Sequence, residues 1–283
     1  MKYSFLRFPG GKFKAVTLSY DDGNLSDLQL IEIINRYKIK GTFNINSSNV
    51  DKPGKLSSKH IEENIIQGGH EIAIHGERHI APGVGRSELV IADILNCRRF
   101  LENSFDTIVR GMAYPDSGIM NLHNKNTVEN IQSYIKSLGI AYARVWGNDN
   151  SEFMLPDNFL MWSPTAHHEN PHLTEYIEKF LVLEEKNFRT WARHPRLFFL
   201  WGHSSEFVAN NNWNILEDFC ERISYKEDAW YATNIEIYDY VKAYNDVIMN
   251  CDGTKIYNPT LTTVWLDVDG ELHCVLPGEM KNI

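Results

Sequence analysis

A chain of 283 residues is long enough to bury one large core, and with 43% hydrophobic and 12% aromatic residues it has the material to do so. Its formal charge of −9 argues against nucleic acid or an anionic membrane as a partner and favours a neutral or cationic substrate. No stretch approaches the eighteen apolar residues of a membrane span, the N-terminus has no apolar leader core, and the four cysteines lack Cys-x-x-Cys spacing, so a reduced, cytoplasmic protein is expected.

Residues 15–20 read as a short buried strand that runs into Asp21-Asp22-Gly23. An Asp-Gly turn is a common way to end a strand. Side chains alternate along an extended segment, however, so two neighbouring carboxylates at its end can serve two different places. Residues 27–38 put Leu28, Leu30, Ile31, Ile33 and Ile34 on a helical stripe, and residues 42–46 form a second strand. Ser57-Ser58 caps a helix through Ile65-Ile66, and Gly68-Gly69 breaks it before a third strand at 71–74. That strand leads into His75-Gly76-Glu77-Arg78-His79. If the chain turns helically after His75, two imidazoles four positions apart share one face, a spacing that suits one metal ion and that surface or capping pairs also show.

A helix from Ser87 through Phe100 precedes a fourth strand at 107–113, which Tyr114-Pro115 stops. Residues 127–138 are amphipathic, residues 140–145 extended, and residues 146–156 a polar loop. A helix at 174–186, the apolar strand 196–201 closed by Gly202-His203, a helix at 213–223, a strand at 230–233 and a helix at 235–247 capped by Asn234 complete the alternation. Six or seven strands alternating with helices predict an α/β barrel of β/α units over residues 1–250. Residues 251–283 read instead as a small β meander packed on a barrel edge, with strands at 255–257, 261–268 and 272–276.

In such barrels the residues just past the carboxyl ends of the strands share one rim, where active sites are built. Asp21, Asp22, His75, Tyr114, Pro115 and His203 all occupy such positions. At these residues the chain resembles the polysaccharide deacetylase family, the NodB-homology group of carbohydrate esterases. The family's Thr-Phe-Asp-Asp-Gly looks like Ser19-Tyr20-Asp21-Asp22-Gly23, and its His-Ser/Thr-x-x-His looks like His75-Gly76-Glu77-Arg78-His79. The resemblance covers roughly residues 15–245 and implies a distorted (β/α)7 barrel. It implies Asp21 as general base, and Asp22, His75 and His79 as ligands of a divalent metal, zinc foremost, with cobalt, nickel or manganese as alternatives. The late Leu-x-His motif looks like Leu200-Trp201-Gly202-His203 with one residue too many, and implies His203 as general acid.

Two departures stand out. The third motif, Arg-x-Pro-Tyr/Phe, has no Arg here: the turn reads Ala113-Tyr114-Pro115-Asp116. Arg144 is the candidate for the missing charge, unless it is a rim arginine paired with a loop carboxylate. The fourth motif, Asp-x-x-Asp-Trp, is absent, which leaves Glu206 as the carboxylate nearest in sequence to His203. Substrate contacts are expected from Tyr114, Pro115, Asp116 and Arg144, with an oxyanion donor among the backbone N–H groups of residues 114–118. Trp162, His167 and His168 are expected to line the sugar groove, or the two histidines to bind a second metal.

The expected activity is removal of acetyl groups from an N- or O-acetylated sugar. Two alternatives keep the same barrel: hydrolysis of non-peptide C–N bonds in small amides or cyclic ureides, and carbohydrate binding without catalysis. Acetylated carbohydrate is the expected partner, with neither nucleic acid nor membrane.

Overall fold

The computed structural model describes residues 3–283. The chain opens with β1 (Ser4–Arg7), then enters the alternating region with β2 (Lys14–Asp21), α1 (Asp27–Arg36) and β3 (Gly41–Ile45). Next come α2 (Ser58–His60), which passes directly into a π-helical turn at Ile61–Ile66, β4 (Glu71–Ile74), α3 (Ser87–Phe105) and β5 (Gly111–Ala113). After α4 (Val128–Ser137) follow β6 (Tyr142–Arg144), β7 (Ala166–His167), α5 (Leu173–Val182) and β8 (Arg196–Gly202). The alternation ends with α6 (Ser204–Asn210), α7 (Asn214–Ile223), β9 (Ala229–Tyr231) and α8 (Asn234–Asn245).

Seven parallel strands run side by side in the order β6-β5-β4-β3-β2-β8-β7. An eighth, β9, pairs with Lys14–Val16 at the start of β2, below β3, which takes Leu18 to Asp21 on the same side. The sheet curls until its edges meet through residues 162–168. Trp162 bridges to Arg144 on β6, and its N–H donates to the Ala143 carbonyl at 3.1 Å. Thr165 and His168 donate to the Phe199 and Trp201 carbonyls of β8 at 2.7 and 2.9 Å. This curled parallel sheet with outer helices is the expected distorted (β/α)7 barrel.

The strands read as near-continuous apolar runs because both of their faces are covered, and every residue of β2, β3, β4, β5 and β6 is buried. The helices bury one stripe each: on α1 it is Leu30, Ile31, Ile33 and Ile34, each contributing roughly 1.5–3 kcal/mol by leaving water. Ser57 caps α2 by accepting the His60 N–H, as expected. The cap of α8 is Thr233, in a reciprocal box with Glu236; Asn234, predicted as the cap, is the first residue inside and lies against Thr17 in the barrel, 2.8 Å away. The strand predicted at 107–113 shrinks to Gly111–Ala113, since Asp106 ends α3 in a left-handed turn and Glu102 takes the Val109 N–H.

Beneath the barrel, at the amino ends of the strands, the Glu71 carboxylate accepts Tyr142 Oη–H (2.7 Å), Thr42 Oγ1–H (2.9 Å) and the Ile235 N–H (2.9 Å) at the start of α8. That end is plugged by polar groups. The chain then forms β10 (Ile248–Met249), β11 (Lys255–Tyr257), β12 (Val264–Val268), β13 (Glu271–Val275) and β14 (Met280–Asn282). They divide between two antiparallel sheets, β10-β11-β14 and β1-β12-β13, the second borrowing its edge strand from the N-terminus. Among the described residues, no helix is long and apolar enough to cross a membrane.

Candidate metal and catalytic centre

The open rim of the barrel gathers residues from β2, β4, β6 and β8. Asp21 is the last residue of β2, and Asp22 follows in a left-handed conformation (φ 78°) that turns its carboxylate out of the strand alternation. Past β4, His75 is buried, and the chain returns through Gly76 to His79, itself left-handed at φ 62°. Non-glycine residues are rarely held there without surrounding support. The outcome is a triangle of donor atoms: His75 Nε2 lies 3.1 Å from His79 Nε2 and 3.7 Å from Asp22 Oδ1, and His79 Nε2 lies 3.8 Å from Asp22 Oδ1.

A tetrahedral zinc ion with ligand bonds near 2.0–2.2 Å separates its donors by about 3.2–3.6 Å, so this donor set fits a divalent cation with little movement. The His75 ring is oriented by its Nδ1, 3.0 Å from the Ala113 carbonyl, to which it donates when Nε2 is left free for an ion. Burial, with His79 beside it, pulls the His75 pKa down against the pull of Asp21 and Asp22, which favours the neutral ligating form. Asp22 and His79 are partly exposed, so the triangle faces solvent.

Asp21 is buried beside the triangle. Its Oδ1 accepts Asn44 Nδ2–H at 2.8 Å, and its Oδ2 is paired with the Arg144 guanidinium. Oδ2 also lies 3.9 Å from both His75 Nε2 and His203 Nε2. Burial alone would push this carboxyl up; Arg144, with His75 and His203, more than offsets that and holds it below the usual carboxylate range. Arg144 is itself buried, with its guanidinium 4.3 Å above the centre of the Trp201 ring. Of the two readings of Arg144, the geometry is that of a partner to Asp21.

His203 caps α6. Its N–H donates to Glu206 Oε2 (3.0 Å), and its Nδ1 stands 3.2 Å from Glu206 Oε1. Burial pulls the imidazole pKa down, but Glu206 and Asp21 raise it above its ordinary value. Glu206 also meets His167 Nε2 at 3.1 Å, and its own pKa falls far below the carboxylate range, because His167 and His203 outweigh its burial. Asp21, Asp22, His75, His79, Arg144, His167 and His203 therefore come together, with Glu206.

Four expectations need correction. Trp162 is fully buried among Tyr142, Phe159 and Phe199 where the barrel edges meet, so it presents no face to a sugar. His168 is buried between Tyr20 and Phe207, its pKa lowered to about 3 by burial and then by His167, which makes it a neutral, largely core group. Tyr114 and Pro115 are buried, the Tyr114 hydroxyl donating to the Leu160 carbonyl at 2.9 Å, so neither side chain is free to meet a substrate; Asp116 is exposed, at φ 49°. Within that turn Tyr114 N–H is spent on the Arg144 carbonyl and Gly118 N–H on Pro115, which leaves Asp116 and Ser117 N–H as the oxyanion candidates.

Sequence reasoning passed over three residues. Trp201, half-buried, packs against Arg144, His167 (4.8 Å) and His203 (6.0 Å); it is the extra residue in the matched late motif. Asn44, a polar position inside the mostly apolar β3, and Asn46, just past its end, are the other two. That mismatch was the signal: Asn44 binds Asp21 and Asn46 the His75 carbonyl.

These features define a β/α barrel with a triangle of histidine and aspartate donors on its open rim, a group that could hold a metal ion. Residues 9–142 match the family model described as polysaccharide deacetylase, which bears out the resemblance drawn from the motifs. The matched span contains Asp21, Asp22, His75 and His79 and ends before Arg144 and His203. A search of curated proteins finds no match.

Among solved structures, the "putative polysaccharide deacetylase from Mycobacterium smegmatis" is 17% identical, with 86% of this chain and 95% of that one covered at a TM-score of 0.56. PuuE allantoinase is 12% identical, with 82% and 91% covered at 0.58. At such identities the likeness is one of fold. The chain spans 61% of the length of the Streptococcus pyogenes deacetylase PplD in complex with acetate, with 51% of this chain covered at 14% identity and a TM-score of 0.43.

Proposed function

We propose that this protein is a metal-dependent hydrolase that removes acetyl groups from an N- or O-acetylated sugar. The observation that carries this reading is the donor triangle of Asp22, His75 and His79 beside a second carboxylate, Asp21, held ionised by Arg144. A divalent ion bound there, zinc foremost and cobalt, nickel or manganese as alternatives, would polarise the acetyl carbonyl and acidify water.

The chain's own groups then divide the work. Asp21, ionised and facing the triangle from the barrel side, takes the proton of the attacking water. The Asp116 or Ser117 N–H, neither of which has a backbone acceptor, would hold the oxyanion. His203, with its raised pKa, keeps a proton near neutral pH and delivers it to the departing amine or alkoxide. Trp201, packed against Arg144 and His203, would offer the acetyl methyl an apolar surface.

The test is acetate release from acetylated chito-oligosaccharides, acetylated xylan and small amides including cyclic ureides, with and without chelator. Chelator-sensitive release from a sugar, reduced about 10²–10⁴-fold in Asp21→Asn and abolished in His75→Ala, is expected. A metal-loaded protein that turns over small amides and no acetylated sugar would replace this reading with the small-amide one. A metal-loaded protein inert on every substrate would favour binding without catalysis.

A further inference from the structure

The loop between His75 and His79 is held from two sides by groups that belong to neither ligand. On the β3 side, Asn46 Nδ2–H donates to the carbonyls of His75 (2.5 Å) and Gly76 (3.4 Å). On the α3 side, Asp93 is fully buried, its Oδ1 accepts the Arg78 N–H at 2.8 Å, and its backbone carbonyl accepts the Glu77 N–H at 3.1 Å. The other oxygen, Oδ2, has no hydrogen-bond partner and faces Gly76: a Cβ built there would lie 2.3 Å from it. Gly76 sits at φ +79°, so both conformation and space demand glycine.

Burying a carboxylate with one oxygen unpartnered is costly, and here the group sits against the three-residue return, 76–78, between two candidate ligand imidazoles. We infer that Asp93 is the positioning residue of the metal centre: from α3 it clamps residues 76–78 so that His75 Nε2 and His79 Nε2 stand 3.1 Å apart before any ion arrives. Asn46 is its counterpart on the opposite side of the loop. The inference rests on the reading of Asp22, His75 and His79 as ligands. It adds a residue fourteen or more positions from any of them in sequence, to which no motif points.

The test compares cobalt and zinc affinity, by chelator competition, and the visible spectrum of the cobalt-loaded protein in wild type, Asp93→Asn, Asp93→Ala and Gly76→Ala, with thermal melting of each metal-free protein alongside. Asparagine retains the acceptor for Arg78 N–H and alanine does not. Asp93→Ala and Gly76→Ala are expected to bind metal about 10–100-fold more weakly with an altered cobalt spectrum, while Asp93→Asn stays within about threefold of wild type. A folded Asp93→Ala with unchanged affinity and spectrum overturns the inference. So does equal loss in the asparagine and alanine variants that tracks their melting temperatures. If Asp93→Ala does not fold, Gly76→Ala decides: unchanged affinity there overturns the inference. Wild type that binds no metal would instead remove the ligand reading beneath it.

Discussion

Asp21 and Asp22 are neighbours in sequence with different partners, and the charged partners of Asp21 and of His203 predict separate shifts in a pH–rate profile. Arg144 lowers the Asp21 pKa against the pull of burial. Removing the guanidinium in Arg144→Gln raises that pKa, so the base stays protonated to higher pH and the acidic limb moves up. The broken buried pair also costs roughly 3–5 kcal/mol of stability. Glu206 raises the His203 pKa. In Glu206→Gln the imidazole gives up its proton at lower pH, so the alkaline limb moves down. Rate profiles of the two variants are expected to shift at opposite ends, and a shift at the same end in both would contradict these assignments. The pairs Asp21-Asp22 and His75/His79 stood out in sequence because each lies within a few residues of a strand end; type and spacing alone left them open to bland readings, and the resemblance to the family's motifs supplied their expected roles. Arg144 was legible only as one of two alternatives, since its partner is 123 positions away. Trp162 was misread because an aromatic residue beside two histidines looks the same in sequence whether it faces a sugar or closes a barrel.

The elements that carry the rim were found where hydrophobic period and capping agree, and were missed where they are short or paired at long range. The seven residues of α6 lie hidden behind the apolar strand β8. β1 is a strand only because β12, some 260 positions later, pairs with it. A buried group at the start of α1 belongs to this scale. Asp27 is fully buried, accepts Ser204 Oγ–H, and has its pKa raised to about 7, burial being the main cause. Its folded pKa lies above its unfolded value, so the folded state binds more protons between about pH 4 and 7, and the contribution of Asp27 to stability falls as pH rises across that window. Replacement by the uncharged isostere removes that loss. In thermal melts, Asp27→Asn is expected to gain on wild type as pH increases from 5 to 8, by a few kcal/mol at about 1.4 kcal/mol per pKa unit. A difference that does not change with pH would mean that Asp27 is ionised at no cost.

At the scale of the molecule, the barrel has a working end and a supporting end. The donor triangle of Asp22, His75 and His79 lies past the carboxyl ends of the strands. The C-terminal sheets hold the other side, where Tyr240 on α8 donates to the Arg7 carbonyl at 2.8 Å and accepts the Trp265 N–H at 3.0 Å, and Arg7 is paired with Glu185 at 2.8 Å. We propose that residues 251–283 act as a structural cap. Truncation after Asn250 is then expected to lower the melting temperature by several degrees while leaving cobalt affinity within about threefold, and loss of metal binding in a still-folded truncation would contradict that role. The alternation of strands and helices made the barrel legible from sequence, whereas the split of the tail into two sheets was not, because strand pairing is set by partners far apart in the chain. The account stands most directly on one titration: stripping the protein with chelator, adding zinc in steps, and following acetate release from an N-acetylated chito-oligosaccharide. Activity that rises linearly and breaks at one ion per chain is the expected result. Acetate release indifferent to metal, or absent at every zinc ratio while the metal binds, would contradict it.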